Sequence, residues 1–256
     1  TCFGTAIHET LQHYLTTMFE INGAQADELD IEEYFKEKFI EQYQANYKQN
    51  NNSHFSSPEE LREFHDDGLA MISWFKKHKS DYFSKRDWSL VGCEIPLLLP
   101  LDSRFKNVLY KGYLDLVLYH EPTNTVKIID IKTSTRGWGA KEKKDEQKQF
   151  QLILYKELLS RQFGLDPDSV EIEFFIVKRK IFEGSDFPTK RIQLFVPPSG
   201  KIKTKRAMTS LTSFIETVFN TDGTIKEMDY IKTPSKYNCN YCVFKNRKDL
   251  CDQNVS

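Results

Sequence analysis

The chain has 256 residues, of which 39% are hydrophobic and 13% aromatic, enough for a substantial core in one large domain or two small ones. Acids and bases nearly cancel at a net charge of −1, so no chain-wide basic field marks a nucleic-acid binder, and any basic surface must be local. No apolar run approaches the roughly 20 residues of a membrane span and no signal peptide is recognisable, so a soluble, cytoplasmic protein is expected.

The sequence opens at Thr1 rather than Met, inside a helical pattern, and upstream residues are expected to be missing. Ile7, Leu11, Leu15 and Met18 recur at three- and four-residue steps and predict a helix over 4–19. Ile31, Tyr34, Phe35, Phe39, Ile40 and Tyr43 predict a second, over 30–47. After a polar loop, Ser57-Pro58-Glu59-Glu60 reads as an N-cap, a first-turn proline and a capping-box glutamate, opening a helix to about Lys79.

From Trp88 the texture changes. "WSLVGCEIPLLLPL", "NVLYKGYLDLVLYH" and "TVKIIDIKTS" are rich in β-branched and aromatic residues, and "EPTNT" between the last two reads as a hairpin turn. The charged segment 137–148 reads as a mobile loop or a helix entrance; its lysines at 141–148 are candidate phosphate contacts, set against a plain solvated linker. A helix over 149–162, strands in "VEIEFFIVKR" and "RIQLFVPP", and a helix over 203–219 complete the order. This predicts a single α/β domain over 1–256 with a central mixed sheet flanked by helices. A helical insertion over about 21–87 and a cysteine-bearing tail over about 232–256 are expected on it.

Asp130 and Lys132 sit two apart on a strand, so both point one way while Ile129 and Ile131 point the other, into the core. Asp115 lies on the preceding strand between Leu114 and Leu116, where a carboxylate is costly unless compensated. Two carboxylates on neighbouring strands backed by a lysine suit a divalent cation such as Mg²⁺. The alternative is a surface ion pair, Asp115–Lys132 or Asp130–Lys132, on a half-exposed sheet. His8 beside the Ile7/Leu11/Leu15 stripe reads by itself as a packed core histidine, and His13 as surface.

Four motifs in order resemble the PD-(D/E)xK nuclease superfamily, in its RecB-like branch of AddB-type and CRISPR-associated nucleases. Gly4-Thr5-Ala6-Ile7-His8 resembles G-x-x-x-H, Gly112-Tyr113-Leu114-Asp115 resembles G-x-x-D, and Asp130-Ile131-Lys132 resembles (D/E)-x-K. Gln151-Leu152-Ile153-Leu154-Tyr155 resembles Q-x-x-x-Y. The resemblance implies a restriction-endonuclease-like core and a Mg²⁺- or Mn²⁺-dependent DNase. Asp115, Asp130, His8 and the Ile131 carbonyl would hold the metal, and Lys132 would position the attacking water. Glu94 is a further catalytic candidate, and Gln151 and Tyr155 would hold the DNA strand or brace the site. Exonuclease action on single-stranded or end-containing DNA, in recombination, repair or phage DNA metabolism of a bacterial or phage-infected cell, is the implied role. A helicase or recombination protein is the implied partner. A catalytically silent DNA- or protein-binding subunit is the competing reading.

Five cysteines, an odd number, argue against a disulfide framework. Cys239-x2-Cys242-x8-Cys251 suggests clustered thiolate ligands for zinc or an iron–sulfur centre, with Cys93 in the core. The resemblance selects a [4Fe–4S] cluster over Zn²⁺. Its fourth ligand would be Cys2 or a residue upstream of Thr1, and Lys236, Lys245, Arg247 and Lys248 would line a DNA path.

Overall fold

The computed structural model describes residues 2–182, 184, 189–240, 242–245, 247 and 249–251. The elements follow the expected order. Helices α1 (Cys2–Glu20), α2 (Gly23–Glu28), α3 (Ile31–Gln49) and α4 (Pro58–His78) come first. Strands β1 (Trp88–Pro100), β2 (Leu109–His120) and β3 (Thr125–Ser134) follow, then helices α5 (Ala140–Lys144) and α6 (Glu146–Phe163). The chain continues through β4 (Val170–Lys178), β5 (Ile192–Phe195), α7 (Lys201–Val218) and the short α8 (Lys236–Asn240).

Local chemistry explains the boundaries. The Asp30 side chain accepts from Glu33 N and starts α3. Ser57 and Glu60 exchange the two bonds of a capping box at the start of α4. The segment "EPTNT" is a tight turn closed by Asn124 in the left-handed region at φ 51°. The charged stretch after Gly137 is not a free linker. It forms α5, and Lys148 and Lys143 lie over the Trp138 and Phe195 rings at 5.3 and 5.8 Å.

The five strands form one sheet in the order β1-β2-β3-β4-β5. All neighbours are antiparallel except β3 and β4, which run parallel because the connection between them crosses over through α6. Helices cover both faces. Ile129 and Ile131 belong to a core with α1, α3 and α4 on one side. Ile128, on the opposite face, joins α6 and Ala207 of α7 in a second core. The half-exposed sheet that would have made Asp130–Lys132 a surface ion pair is therefore not what forms: Asp130 is 1% exposed. His13 also departs from expectation. It is half-buried and stacks on Tyr34, with ring centroids 4.4 Å apart. No helix among the described residues is long and apolar enough to cross a membrane.

Candidate active site

The site begins where the ladder between β2 and β3 stops. Their last paired residues are Leu116 and Ile129, although β2 runs on alongside β1. One position further along each strand stand Asp115 and Asp130, close enough that the Asp115 charge acts on Asp130. Asp115 Oδ2 accepts a hydrogen bond from Ile131 N at 2.7 Å, so a side chain satisfies a backbone donor that the separating strand no longer reaches. The N–H and C=O of one strand residue leave the same edge, which puts the Ile131 carbonyl on this opening too.

Lys132 lies on the same strand face as Asp130, its Nζ 2.7 Å from Asp130 Oδ2. The contact is an ion pair rather than a well-directed hydrogen bond, and neither Asp130 oxygen accepts a bond of good geometry. From α1, His8 Nδ1 approaches Asp115 Oδ2 to 3.6 Å. Gly4, one turn earlier on the same helix face, lines with His8 and Lys132 a cavity of about 540 Å³. Glu94 lines it as well, from β1. Its φ of 51° is rare for a residue with a side chain and costs on the order of 1–3 kcal/mol. The flanking pairs Cys93–Leu116 and Ile95–Leu114 put Glu94 level with Asp115.

One participant has no counterpart among the sequence motifs. Gln12 is buried on α1, and its Nε2 donates both to Glu94 Oε1 at 2.7 Å and to the Asp115 carbonyl at 2.9 Å. It follows His8 by one helical turn, so the i, i+4 spacing is the signal that marks it. Gln151 and Tyr155 pair on α6, with Gln151 Nε2 3.3 Å from the Tyr155 hydroxyl. Tyr155 is nearly buried, and its ring crowds the space above Gly112, where an added Cβ would stand 3.1 Å from Tyr155 Cε1 and 3.1 Å from Tyr110 Cε1. That contact gives the glycine of the G-x-x-D stretch a packing reason.

Electrostatics follow from this burial. Desolvation pushes both aspartates above the ordinary carboxylate range, against the pull of Lys132 and, for Asp115, of the bond from Ile131 N. Burial first, then the Lys132 charge, pushes His8 down to about 4, so its imidazole is neutral at pH 7.

The donor set tests well against a hard divalent cation. A buried carboxylate engaged by Lys132 alone, a second carboxylate opposite it, a neutral imidazole and a strand-edge carbonyl are the ligands Mg²⁺ and Mn²⁺ accept. The set is not drawn into a finished cage: among the described residues no three of the His, Cys, Asp and Glu side chains form a compact ligand group. Asp115 is turned to Ile131 N and Glu94 to Gln12.

The four cysteines that the resemblance assigns to a cluster are free thiols in different settings. Cys2 packs into the α1 core with Phe3 and Ile7, Cys239 is buried, Cys242 is exposed, and Cys251 lies between these extremes. Among the described residues they form no ligand group. Cys93, as expected, packs against the α1 core. Of the basic residues near the tail, Arg247 is paired with Asp249 at 2.6 Å, and Lys248 lies outside the described residues.

A mixed, helix-flanked sheet that opens between two strands to present two acids and a lysine has the architecture of a restriction-endonuclease-like α/β core. The sequence model of the PD-(D/E)XK nuclease superfamily matches residues 2–247, and the chain belongs to that superfamily, whose members hydrolyse phosphodiester bonds and typically use Mg²⁺ or Mn²⁺. No curated protein matches the sequence.

Proposed function

We propose that the chain is one divalent-metal-dependent deoxyribonuclease domain of the RecB-like branch, acting as an exonuclease on single-stranded or end-containing DNA. The observation that carries this reading is the apposition of Asp115 and Asp130 across the opened β2–β3 pair, with Lys132 against Asp130. The order of the His8, Asp115, Asp130-x-Lys132 and Gln151/Tyr155 motifs supports the branch. Recombination, repair or phage DNA metabolism, with a helicase or recombination protein as partner, is the setting this branch implies.

In this reading Asp115, Asp130, His8 and the Ile131 carbonyl hold the cation. When bound, it neutralises charge on the phosphate under attack and lowers the pKa of water nearby. Lys132, set by its strand two residues after Asp130, orients the attacking water and offsets the charge that builds on the phosphate oxygens. Glu94, clamped by Gln12, stands ready to accept the water's proton. Tyr155 and Gln151 brace the floor beneath Asp130.

End-labelled linear DNA and closed circular DNA, each with Mg²⁺ and with EDTA, test the proposal. Mg²⁺-dependent loss of the linear substrate alone is the expected result. Cutting of the circle would make the activity endonucleolytic. Failure to cut either, with DNA binding retained, would assign the catalytically silent binding subunit instead.

A further inference from the structure

We propose that a basic cavity at the C-terminal ends of β3 and β4 holds a phosphate of the DNA strand next to the one under attack. Arg136 and Lys178 would be its ligands, with Phe182 at its rim. The inference rests on the nuclease reading above and names where its substrate runs.

The cavity has a volume of about 650 Å³, and Arg136, Lys178, Lys180 and Phe182 line it. It lies where the two parallel strands end, the side of an α/β sheet on which ligands collect. Ser134 pairs with Lys178 just as Lys132 pairs with Ile176, so Lys178 stands two strand positions beyond the reactive lysine. That is about 7 Å along the strand direction, the scale of one phosphate-to-phosphate step in an extended single strand.

The charges in this corner are not equivalent. Lys180 is spent on Glu63 and Asp67, each at 2.9 Å, and Arg179 lies 3.3 Å from Asp67. Arg136 and Lys178 have no carboxylate partner among the described residues. Burial also holds the Lys178 pKa below the ordinary lysine value, a penalty that an anion at hand would relieve.

The backbone carrying both residues is pinned, so the site is built in advance. Gln193 of β5 accepts from Trp138 N at 2.7 Å and donates to its carbonyl at 3.1 Å. Ser134 Oγ accepts from Gly137 N at 3.1 Å, and the Ser134 and Thr135 carbonyls accept from Arg179 N and Lys180 N, each at 2.8 Å. Gly137, at φ 92°, lets the turn pass so close that an added Cβ would come within 3.3 Å of Lys178 Cδ. Arg136 is thus an exposed cation on a fixed turn beside a second cation. Phe182, 73% exposed, adds a ring on which a base can stack.

The test is fluorescence anisotropy with a labelled 20-nucleotide single-stranded DNA in EDTA, which stops hydrolysis, across a series of salt concentrations. R136Q/K178Q should weaken binding about tenfold and lower the slope of log affinity against log salt by at least about 0.7. R136K/K178R should bind like the parent. F182A should weaken binding several-fold without changing the slope. K48Q/K77Q, which removes two exposed lysines from α3 and α4, should have no effect. Parent-like binding by R136Q/K178Q would overturn the proposal, as would an equal loss in K48Q/K77Q. If the parent chain failed to cut any DNA in Mg²⁺ yet bound it through Arg136 and Lys178, the nuclease reading would fall and the cavity would stand. If the parent cut DNA while R136Q/K178Q bound normally, only the cavity would fall.

Discussion

Asp115 Oδ2 accepts from Ile131 N at 2.7 Å, across the point where β2 and β3 part. The bond does two things at once. It satisfies a backbone donor left behind by the opening strands, and it aims a carboxylate at the gap that Asp130 faces from the other side. A backbone carbonyl in that place would close the ladder and remove the site.

The first prediction concerns the core trio. D115N, D130N and K132A should each lower cleavage of linear DNA by at least about 10²-fold, the loss seen when one charge-stabilising group is removed from a transition state. Circular dichroism should match the parent. Near-parental rates in all three would remove the assignment of the reaction to this cleft.

Gln12 is a positioning residue. It holds Glu94, whose φ of 51° stores strain, and it anchors the Asp115 backbone through a second bond. Q12A should cost about 10- to 100-fold in activity or in Mg²⁺ affinity, the usual effect of losing a partner behind a ligand. A Mg²⁺ titration of the cleavage rate should show the requirement moving to higher concentration. A purely structural role would lower the melting temperature and leave the Mg²⁺ dependence unchanged.

The acids also give the metal-free protein a characteristic pH response. Burial raises Asp115 and Asp130 from the ordinary value of 3.8 to about 6, so the folded chain keeps protons that the unfolded chain has already released in this window. Stability therefore falls as pH rises from about 4 to about 6, by no more than about 1.4 kcal/mol per pH unit for each extra proton held. Urea melts of the parent and D130N in EDTA should show a shallower fall for D130N. Identical slopes would mean that Asp130 titrates normally.

Mg²⁺ should act in the opposite sense. Above pH 7 both acids are ionised, and a cation bound only by the folded chain stabilises it by about 2.7 kcal/mol at a concentration 100 times its dissociation constant. A melting temperature that rises with Mg²⁺ in the parent and stays flat in D115N/D130N is the expected outcome.

Gly112 yields a prediction about packing. A methyl group there would meet Tyr155 and Tyr110 at 3.1 Å, and the nearly buried Tyr155 ring has little room to retreat. G112A should lose about 1–3 kcal/mol by overpacking, read from chemical denaturation. An unchanged midpoint would show that the two tyrosines yield freely.

Much of this protein is written locally. The apolar stripe of α1, the Ser57–Glu60 capping box, the "EPTNT" turn and the alternation that pairs Asp130 with Lys132 depend on residues a few positions apart, so periodicity and turn chemistry reveal them. The fold class follows from their order. The helices on both faces of the sheet, the burial of Asp130, the parting of β2 from β3 and the packing of Cys2 into the core of α1, α3 and α4 are decided by contacts between distant segments. Gln12 shows why: its spacing from His8 sets its face of α1, but its two partners lie 82 and 103 residues away and only the fold brings them to it. Arg136, on the turn after β3, and Lys178, at the end of β4, lie far apart in the chain and become one basic corner only because β3 and β4 run parallel and end together. Local sequence chooses the elements, whereas burial of two apolar faces at once chooses how they meet, and the site exists only at that meeting.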